Sequence, residues 1–166
     1  MIILTTRFDN NTWKENIEYR KKHNIECIYP IPQKISDKYY LDCLVWVIEM
    51  NNSTNEIEGI GLIKNRAHMD KYYKVYSVGN YNRYVYKSVY YIDRETLKIY
   101  NNKLVPFLDN ILFKGKTHLK RGVGMTAIPG KLLLKCEFNL LSELKEIFKN
   151  YFRNKGDNDN NDNNII

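Results

Sequence analysis

The 166-residue chain has few of the residues from which metal centres and covalent scaffolds are built. Its three cysteines, Cys27, Cys43 and Cys136, are far apart and form no C-x-x-C pair, which argues against a disulfide framework or a zinc site. The three histidines are equally scattered and show no metal-ligand spacing. We therefore expect no metal and no cofactor, and an intracellular protein of the cytoplasm or nucleus, a virus-encoded protein in a host cell being one such case.

Long apolar runs are absent too, and one long segment contains no acidic residue. No stretch reaches the roughly 18 apolar residues of a membrane span, so we expect no membrane association. Between Asn110 and Cys136 there is no aspartate or glutamate, whereas six lysine or arginine residues lie there. Together with the net charge of +7, this segregation favours a polyanionic partner such as nucleic acid.

The groups required for hydrolytic or transfer chemistry are also missing from the sequence pattern. We find no nucleophile spaced with a base, no paired carboxylates and no metal cluster. The segment Lys114–Thr117 matches only a fragment of the phosphate-binding loop of nucleotide triphosphatases, because the leading glycine is lacking. The sequence therefore favours binding over catalysis, with no catalytic residue assigned.

Hydrophobic spacing predicts one α/β (α+β) domain over residues 1–153, followed by a disordered, Asn/Asp-rich tail at 154–166. A capping box at Thr12–Glu15 predicts where the first helix begins, and Asn139 is the expected cap of an amphipathic C-terminal helix. The remaining predicted elements are strands at 2–8, 25–31 and 84–92, a helix at about 12–24, a short helix or turn at 103–113, and a hairpin at 43–64.

Two glycines lie two residues apart on the returning strand of that hairpin. Gly59 and Gly61 must point to the same face of the sheet. Glycines in this arrangement indicate either the close approach of a backbone or ligand, or a bend in a curled sheet.

Aromatic residues are abundant, with 14 Tyr, 6 Phe and 2 Trp. Tyr29 and Trp46 are the first candidates for a pocket that holds a base. For Trp46, periodicity alone favours a core position in a central strand over this role. The glycine-rich loop that follows residue 113 supplies candidate phosphate contacts, which are Lys114, Lys116, His118, Lys120 and Arg121.

Four segments together resemble the EVE and YTH families of PUA-like domains over about residues 2–140. They are HNIECIYPI (23–31), CLVWVIEMNNSTNEIEGIGLIKN (43–65), RYVYKSVYYIDRE (83–95) and LVPFLDNILFKGKTHLKRGVGMTAIP (104–129). The resemblance implies a PUA-like curled mixed sheet or barrel flanked by a few helices. It also implies an aromatic cage for a modified base, with Tyr29 as the first wall and Trp46, Tyr81 or Tyr84 as another. The chain departs from the methyladenine readers at the first wall, where they carry Trp.

Three functions remain open on this evidence. The first is a nucleic-acid-binding domain that recognises RNA or a modified base in RNA or DNA. The second is a structural or protein-interaction component, for example of a viral particle, that uses a tyrosine-rich sheet surface. The third is a small nucleic-acid-processing enzyme. The base, the strandedness and the oligomeric state do not follow from the sequence.

Overall fold

The computed structural model describes residues 1–156. The tail predicted for 154–166 lies outside the described residues from Asp157 onward, while residues 154–156 belong to the last turn of the C-terminal helix. Among residues 1–156, no helix combines the length and the apolar character that crossing a membrane requires.

The described chain is a mixed α/β structure, as the sequence predicts. Its strands are β1 (Ile2–Phe8), β2 (Cys27–Ile31), β3 (Leu44–Asn51), β4 (Glu56–Lys64), β5 (Tyr84–Ser88), β6 (Tyr90–Asp93) and β7 (Thr126–Ala127). Its helices are α1 (Asn10–His23), α2 (Arg94–Tyr100), α3 (Leu104–Phe113), α4 (Gly130–Leu133) and α5 (Leu140–Gly156), with a 3-10 turn at Gly79–Asn82.

Both predicted helix caps can be checked against the structure. Helix α1 is capped by Asp9, because its carboxylate accepts from the Thr12 backbone N–H at 2.8 Å and the Thr12 hydroxyl accepts from the Asp9 N–H at 2.9 Å. The capping box predicted at Thr12–Glu15 is therefore wrong, and the helix begins before Thr12. The predicted cap of α5 is confirmed, since the Asn139 side chain accepts from the Ser142 backbone N–H at 3.0 Å.

A five-stranded mixed sheet with the order β6-β4-β3-β1-β7 forms the centre of the molecule. The predicted 43–64 hairpin is confirmed as the antiparallel pair β3 and β4. Strand β1 runs parallel to β3, from the pair Ile2 and Val45 to the pair Phe8 and Asn51. The carboxyl ends of β1 and β3 consequently lie side by side at one end of the sheet.

The predicted strand at 84–92 is divided into two strands that belong to different sheets. Strand β6 pairs with β4, whereas β5 pairs with β2 in a separate two-stranded sheet, and the chain changes direction at Val89. The larger sheet ends in two edges, β6 and β7, so it is not closed into a barrel. Of the two forms predicted, a mixed sheet is confirmed and a barrel is not formed.

Each face of the sheet carries its own hydrophobic core because side chains alternate along a strand. From β3, Trp46 and Ile48 pack with α2, α3 and α5 on one face. Val45 and Val47 pack with β2 and β5 on the other face, where α1 also lies. This division determines which of the predicted site residues can meet.

Candidate functional site

Tyr29 and Trp46 do not share a pocket. Tyr29 is 1% exposed and belongs to the core on the α1 side of the sheet, whereas Trp46 is 0% exposed and belongs to the core on the α5 side. Trp46 packs edge-to-face against Phe148, with the ring centroids 4.5 Å apart. The prediction that these two rings hold a base together is therefore wrong, and the core alternative accounts for Trp46.

The ring of Tyr29 does form part of an aromatic cage, but the cage holds a guanidinium group of the chain itself. The Arg20 side chain lies 5.7 Å from the Tyr29 ring centroid, 5.0 Å from that of Tyr91 and 5.4 Å from that of Trp13. Its Nη2 atom donates to Glu49 Oε1 at 2.6 Å, and both side chains are almost completely buried. Burial alone would lower the pKa of Arg20, but the Glu49 charge raises it above its ordinary value.

The paired glycines of β4 make room for two members of this cluster. A methyl group at Gly61 would overlap the Tyr29 hydroxyl, and a methyl group at Gly59 would overlap the Tyr91 hydroxyl. The Tyr91 hydroxyl also donates to Glu49 Oε2 at 3.1 Å. The close approach predicted at these glycines is thus made by tyrosine side chains rather than by a ligand or a backbone.

The other two predicted pocket residues lie in separate depressions. Tyr84 is half-buried and lines a hollow together with Tyr39, Tyr40 and Lys34. Tyr81 is 43% exposed and lines a different cleft, which it shares with Lys120. The structure therefore brings Tyr81, and none of the other three, together with the predicted basic loop.

This cleft, which we call the β1 cleft, has a volume of about 260 Å³ and lies at the carboxyl end of β1. Its walls come from five parts of the chain: the end of β1 and start of α1, the end of β2, Asn52 in the β3–β4 turn, the segment that carries Tyr76 and Tyr81, and residues 120–124. Its lining residues include Thr6, Arg7, Asp9, Pro30, Pro32, Asn52, Tyr81, Lys120 and Gly124.

Arg7 fixes residues 119–126 against β1. Its guanidinium donates to the backbone oxygens of Leu119 and Gly124 and to the hydroxyls of Thr5 and Thr126. A side chain at Gly122 would collide with this guanidinium, so the loop backbone lies directly on it. Burial lowers the pKa of Arg7 to about 10, which still leaves the group charged at neutral pH.

No carboxylate neutralises Arg7 within residues 1–156, because all its partners are uncharged oxygens. A positive charge therefore lies beneath a loop that is itself positive. Asp9 brings the one carboxylate among the residues that line the β1 cleft, and the Thr12 backbone N–H holds the pKa of that carboxyl below its usual range.

The basic loop is anchored at one end and exposed along the rest. Lys120 is tied to the β3–β4 turn, since its Nζ donates to the Asn55 side chain at 2.6 Å and its carbonyl accepts from the Asn52 side chain at 2.9 Å. His118 is half-buried, and its Nδ1 accepts from the Lys120 backbone N–H at 3.4 Å. Within this loop, the exposed cations that make no ion pair with residues 1–156 are Lys114, Lys116 and Arg121.

The groups that line the β1 cleft are suited to stacking, hydrogen bonding and charge contacts. The cleft presents one exposed aromatic ring, hydroxyl and amide groups, and the cations of its wall. No group of three His, Cys, Asp or Glu side chains able to hold a metal ion occurs in residues 1–156. The Asn52 Oδ1 atom is buried without a hydrogen-bond partner, which leaves an acceptor unused beside the cleft.

Arg7 is the site residue that sequence reasoning missed. The segment Thr5–Arg7 stands where the resembled families have polar contacts, yet the sequence alone assigns Arg7 no role. A signal existed, because an arginine that is the only charged residue of the first strand must find partners or face solvent.

Comparison with known proteins finds no match to this chain, whether among protein-family models, curated proteins or solved structures.

Proposed function

We propose that this protein binds nucleic acid, taking one base into the β1 cleft while the loop at residues 114–121 contacts the neighbouring phosphates. The observation that carries the proposal is the position of Lys120: it lines the same cleft as the exposed ring of Tyr81 and belongs to the acid-free basic segment. Stacking and phosphate contacts, the two sources of affinity for single strands, are thus side by side.

The size and chemistry of the cleft favour a single base as its occupant. Sites for drug-sized ligands begin at roughly 300 Å³, so 260 Å³ suits a smaller, planar group. A base also supplies acceptors for the hydroxyls of the lining. The proposal covers a modified base of RNA or DNA as well as an unmodified one. It is also compatible with a PUA-like, EVE/YTH-type fold and with an intracellular protein.

Charge reversal of the loop tests the phosphate contacts. For Lys116→Glu, Lys120→Glu and Arg121→Glu combined, we expect about 100-fold weaker binding of a fluorescein-labelled 12-nucleotide single-stranded RNA, because phosphate attraction becomes repulsion. The slope of log K against log salt should fall by about 2, since roughly 0.7 is lost per phosphate contact. Fluorescence anisotropy at several salt concentrations measures both quantities.

The matched control reverses three exposed lysines elsewhere, Lys22, Lys145 and Lys149, which make no ion pair with residues 1–156. This control has the same net charge as the loop variant, so it should lose only the small part of the affinity that depends on overall charge. Equal losses in the two triple variants would contradict the assignment of the loop.

Removal of the Tyr81 ring tests the base contact separately. We expect Tyr81→Ala to weaken RNA binding by about 5- to 100-fold with an unchanged salt slope, because one stacked base contributes roughly 1–3 kcal/mol. Tyr81→Phe should retain most of the affinity. Tyr40→Ala, which removes a ring that is 88% exposed outside the cleft, serves as the control in the same anisotropy assay and should bind normally.

A second candidate function, protein interaction, is favoured by a different surface. Tyr40, Leu41 and Met69 are 88%, 69% and 75% exposed and line the hollow that also contains Tyr84. Large exposed apolar side chains that cluster in this way mark contact surfaces. If Tyr40→Ala changes the molar mass measured by light scattering while RNA binding is absent in the parent protein, this function replaces the first.

A further inference from the structure

A second cavity, with a volume of about 530 Å³, opens at the end of the sheet opposite the β1 cleft. Its lining includes Leu44 at the start of β3 and Lys64 at the end of β4. The β1 cleft lies at the other end of these strands, near the pair Phe8 and Asn51. The two sites therefore share no lining residue and can be tested independently.

The cavity exists because two strands separate. Strand β4 pairs with β6 from Gly59 to Leu62. Beyond Leu62 it keeps β3 on one side and has no paired strand of the described chain on the other, because the chain bends at Val89 and β5 joins β2 instead. The last residues of β4 and the last residues of β5, Lys87 and Ser88, are left facing a gap. Small ligands generally bind in clefts with an apolar lining and a few polar groups.

The floor of the gap is apolar. Leu44 is half-buried, Leu62 is 2% exposed, and the half-buried ring of Tyr90 packs edge-to-face on Phe152 with centroids 5.0 Å apart. These side chains are held by the core on the α5 side, so the floor is preformed. An apolar body placed there would bury surface on side chains that do not have to move.

The rim of the cavity is positively charged, and two of its lysines have no ion-pair partner among the described residues. Within residues 1–156, neither Lys64 nor Lys87 forms an ion pair, and Lys87 Nζ lies 5.0 Å from the centroid of the Tyr73 ring. Arg66, by contrast, is neutralised by Asp42, whose Oδ1 accepts a hydrogen bond from Arg66 Nε at 2.6 Å. The two lysines over the apolar floor therefore have no carboxylate of residues 1–156 in direct contact, although Lys64 acts on the Asp42 carboxylate and Lys87 on that of Asp70 from a greater distance.

His68 completes the rim as an uncharged group at neutral pH. Burial, followed by the charge of Lys87, lowers its pKa below the ordinary value, although Asp70, at 4.0 Å from Nδ1, acts in the opposite direction. A neutral imidazole adds no charge to the rim.

We propose that this cavity binds a small organic anion whose apolar body lies on Leu44, Leu62 and Tyr90 and whose carboxylate or phosphate head lies between Lys64 and Lys87. The volume lies within the roughly 300–1,000 Å³ of small-molecule sites and is twice that of the β1 cleft. The proposal does not rest on nucleic-acid binding.

Isothermal titration calorimetry with three probes of one shape tests the proposal. The probes are 1-naphthoate, 1-naphthyl phosphate and the neutral 1-naphthamide. We expect at least one of the anions to bind with 1:1 stoichiometry, about tenfold or more tighter than the amide. The tighter of the two anions identifies the head group. Failure of both anions to bind, or equal binding of the amide, overturns the proposal.

Charge-neutral variants locate the binding. Lys64→Gln/Lys87→Gln should weaken the anion by about tenfold or more and leave the amide unchanged, while Lys145→Gln/Lys149→Gln, with the same charge change on α5, should bind like the parent. Should the double variant fold poorly, Lys64→Gln alone carries the test, because Lys64 is exposed. Equal affinity of the parent and the Lys64 variant would overturn the site.

The imidazole of His68 supplies a readout besides affinity. Its ring resonances should shift on addition of the anion, because the ring lines the cavity, whereas those of His23, exposed at the end of α1, should not. Loss of the loop charges at Lys116, Lys120 and Arg121 should leave this titration unchanged. A failure of RNA binding therefore leaves this site standing, and the reverse also holds.

Discussion

Replacing Glu49 with glutamine is expected to lower the free energy of unfolding by about 3–5 kcal/mol, because it leaves Arg20 charged and buried without a counter-charge. The pair is 2.6 Å apart, with side-chain exposures of 0% for Glu49 and 5% for Arg20. The Arg20 Nε and Nη1 atoms already lack hydrogen-bond partners, so no other group takes over the charge. Urea denaturation followed by circular dichroism measures the change, and the Tm should fall by roughly 10 °C.

Two companion variants separate the buried pair from a general charge effect. Glu18→Gln removes an exposed partner of Lys14, 3.9 Å away, and should change stability by less than about 0.5 kcal/mol. Arg20→Met/Glu49→Leu removes both charges and should recover much of the loss, because the desolvation of the two ions disappears together with their attraction. A Glu49→Gln protein as stable as its parent would contradict the burial of this pair.

Trp46→Ala is expected to cost about 3–5 kcal/mol of stability, as do other large-to-small replacements in a packed core. Trp46 is fully buried in the middle of β3 and packs edge-to-face on Phe148 of α5. The replacement would leave a cavity between the sheet and the C-terminal helix. Thermal and urea denaturation both measure the loss.

Trp46→Phe distinguishes this core role from contact with a base. Phenylalanine retains most of the apolar packing, and the indole Nε1 has no hydrogen-bond partner to lose, so we expect a cost of about 1–2 kcal/mol. RNA affinity measured on the folded variant should equal that of the parent. A clear loss of affinity in a stable Trp46→Phe protein would restore Trp46 as a base contact.

The elements that the sequence predicted well are those with strong local signals. The 43–64 hairpin combines alternating apolar residues with an Asn-rich turn, and α5 combines helical spacing with a cap at Asn139. The division of 84–92 could not be seen, because alternation continues through Val89. The bend there is imposed by distant partners, β2 on one side and β4 on the other.

In the candidate site too, some features follow from the local sequence and others depend on distant parts of the chain. The basic loop was identified from charge segregation, because a span without acidic residues can be read directly from the sequence. The placement of Tyr29 and Trp46 depended on which face each ring covers and on whether a ligand or a side chain fills the space beside it. Arg20 fills that space, and its contact with Glu49 joins residues that are 29 positions apart.

The pairing of β1 with β7 has a consequence for the order in which the protein takes shape during synthesis. Thr5 hydrogen-bonds to Thr126, 121 residues later, and Arg7 reaches Gly124 across 117 residues. Strand β1 therefore waits for the synthesis of about 120 further residues before this edge is covered. A nascent fragment that stops before Lys120 has the other walls of the β1 cleft and lacks its basic one, so the cleft is complete only after residues 120–124 have been made.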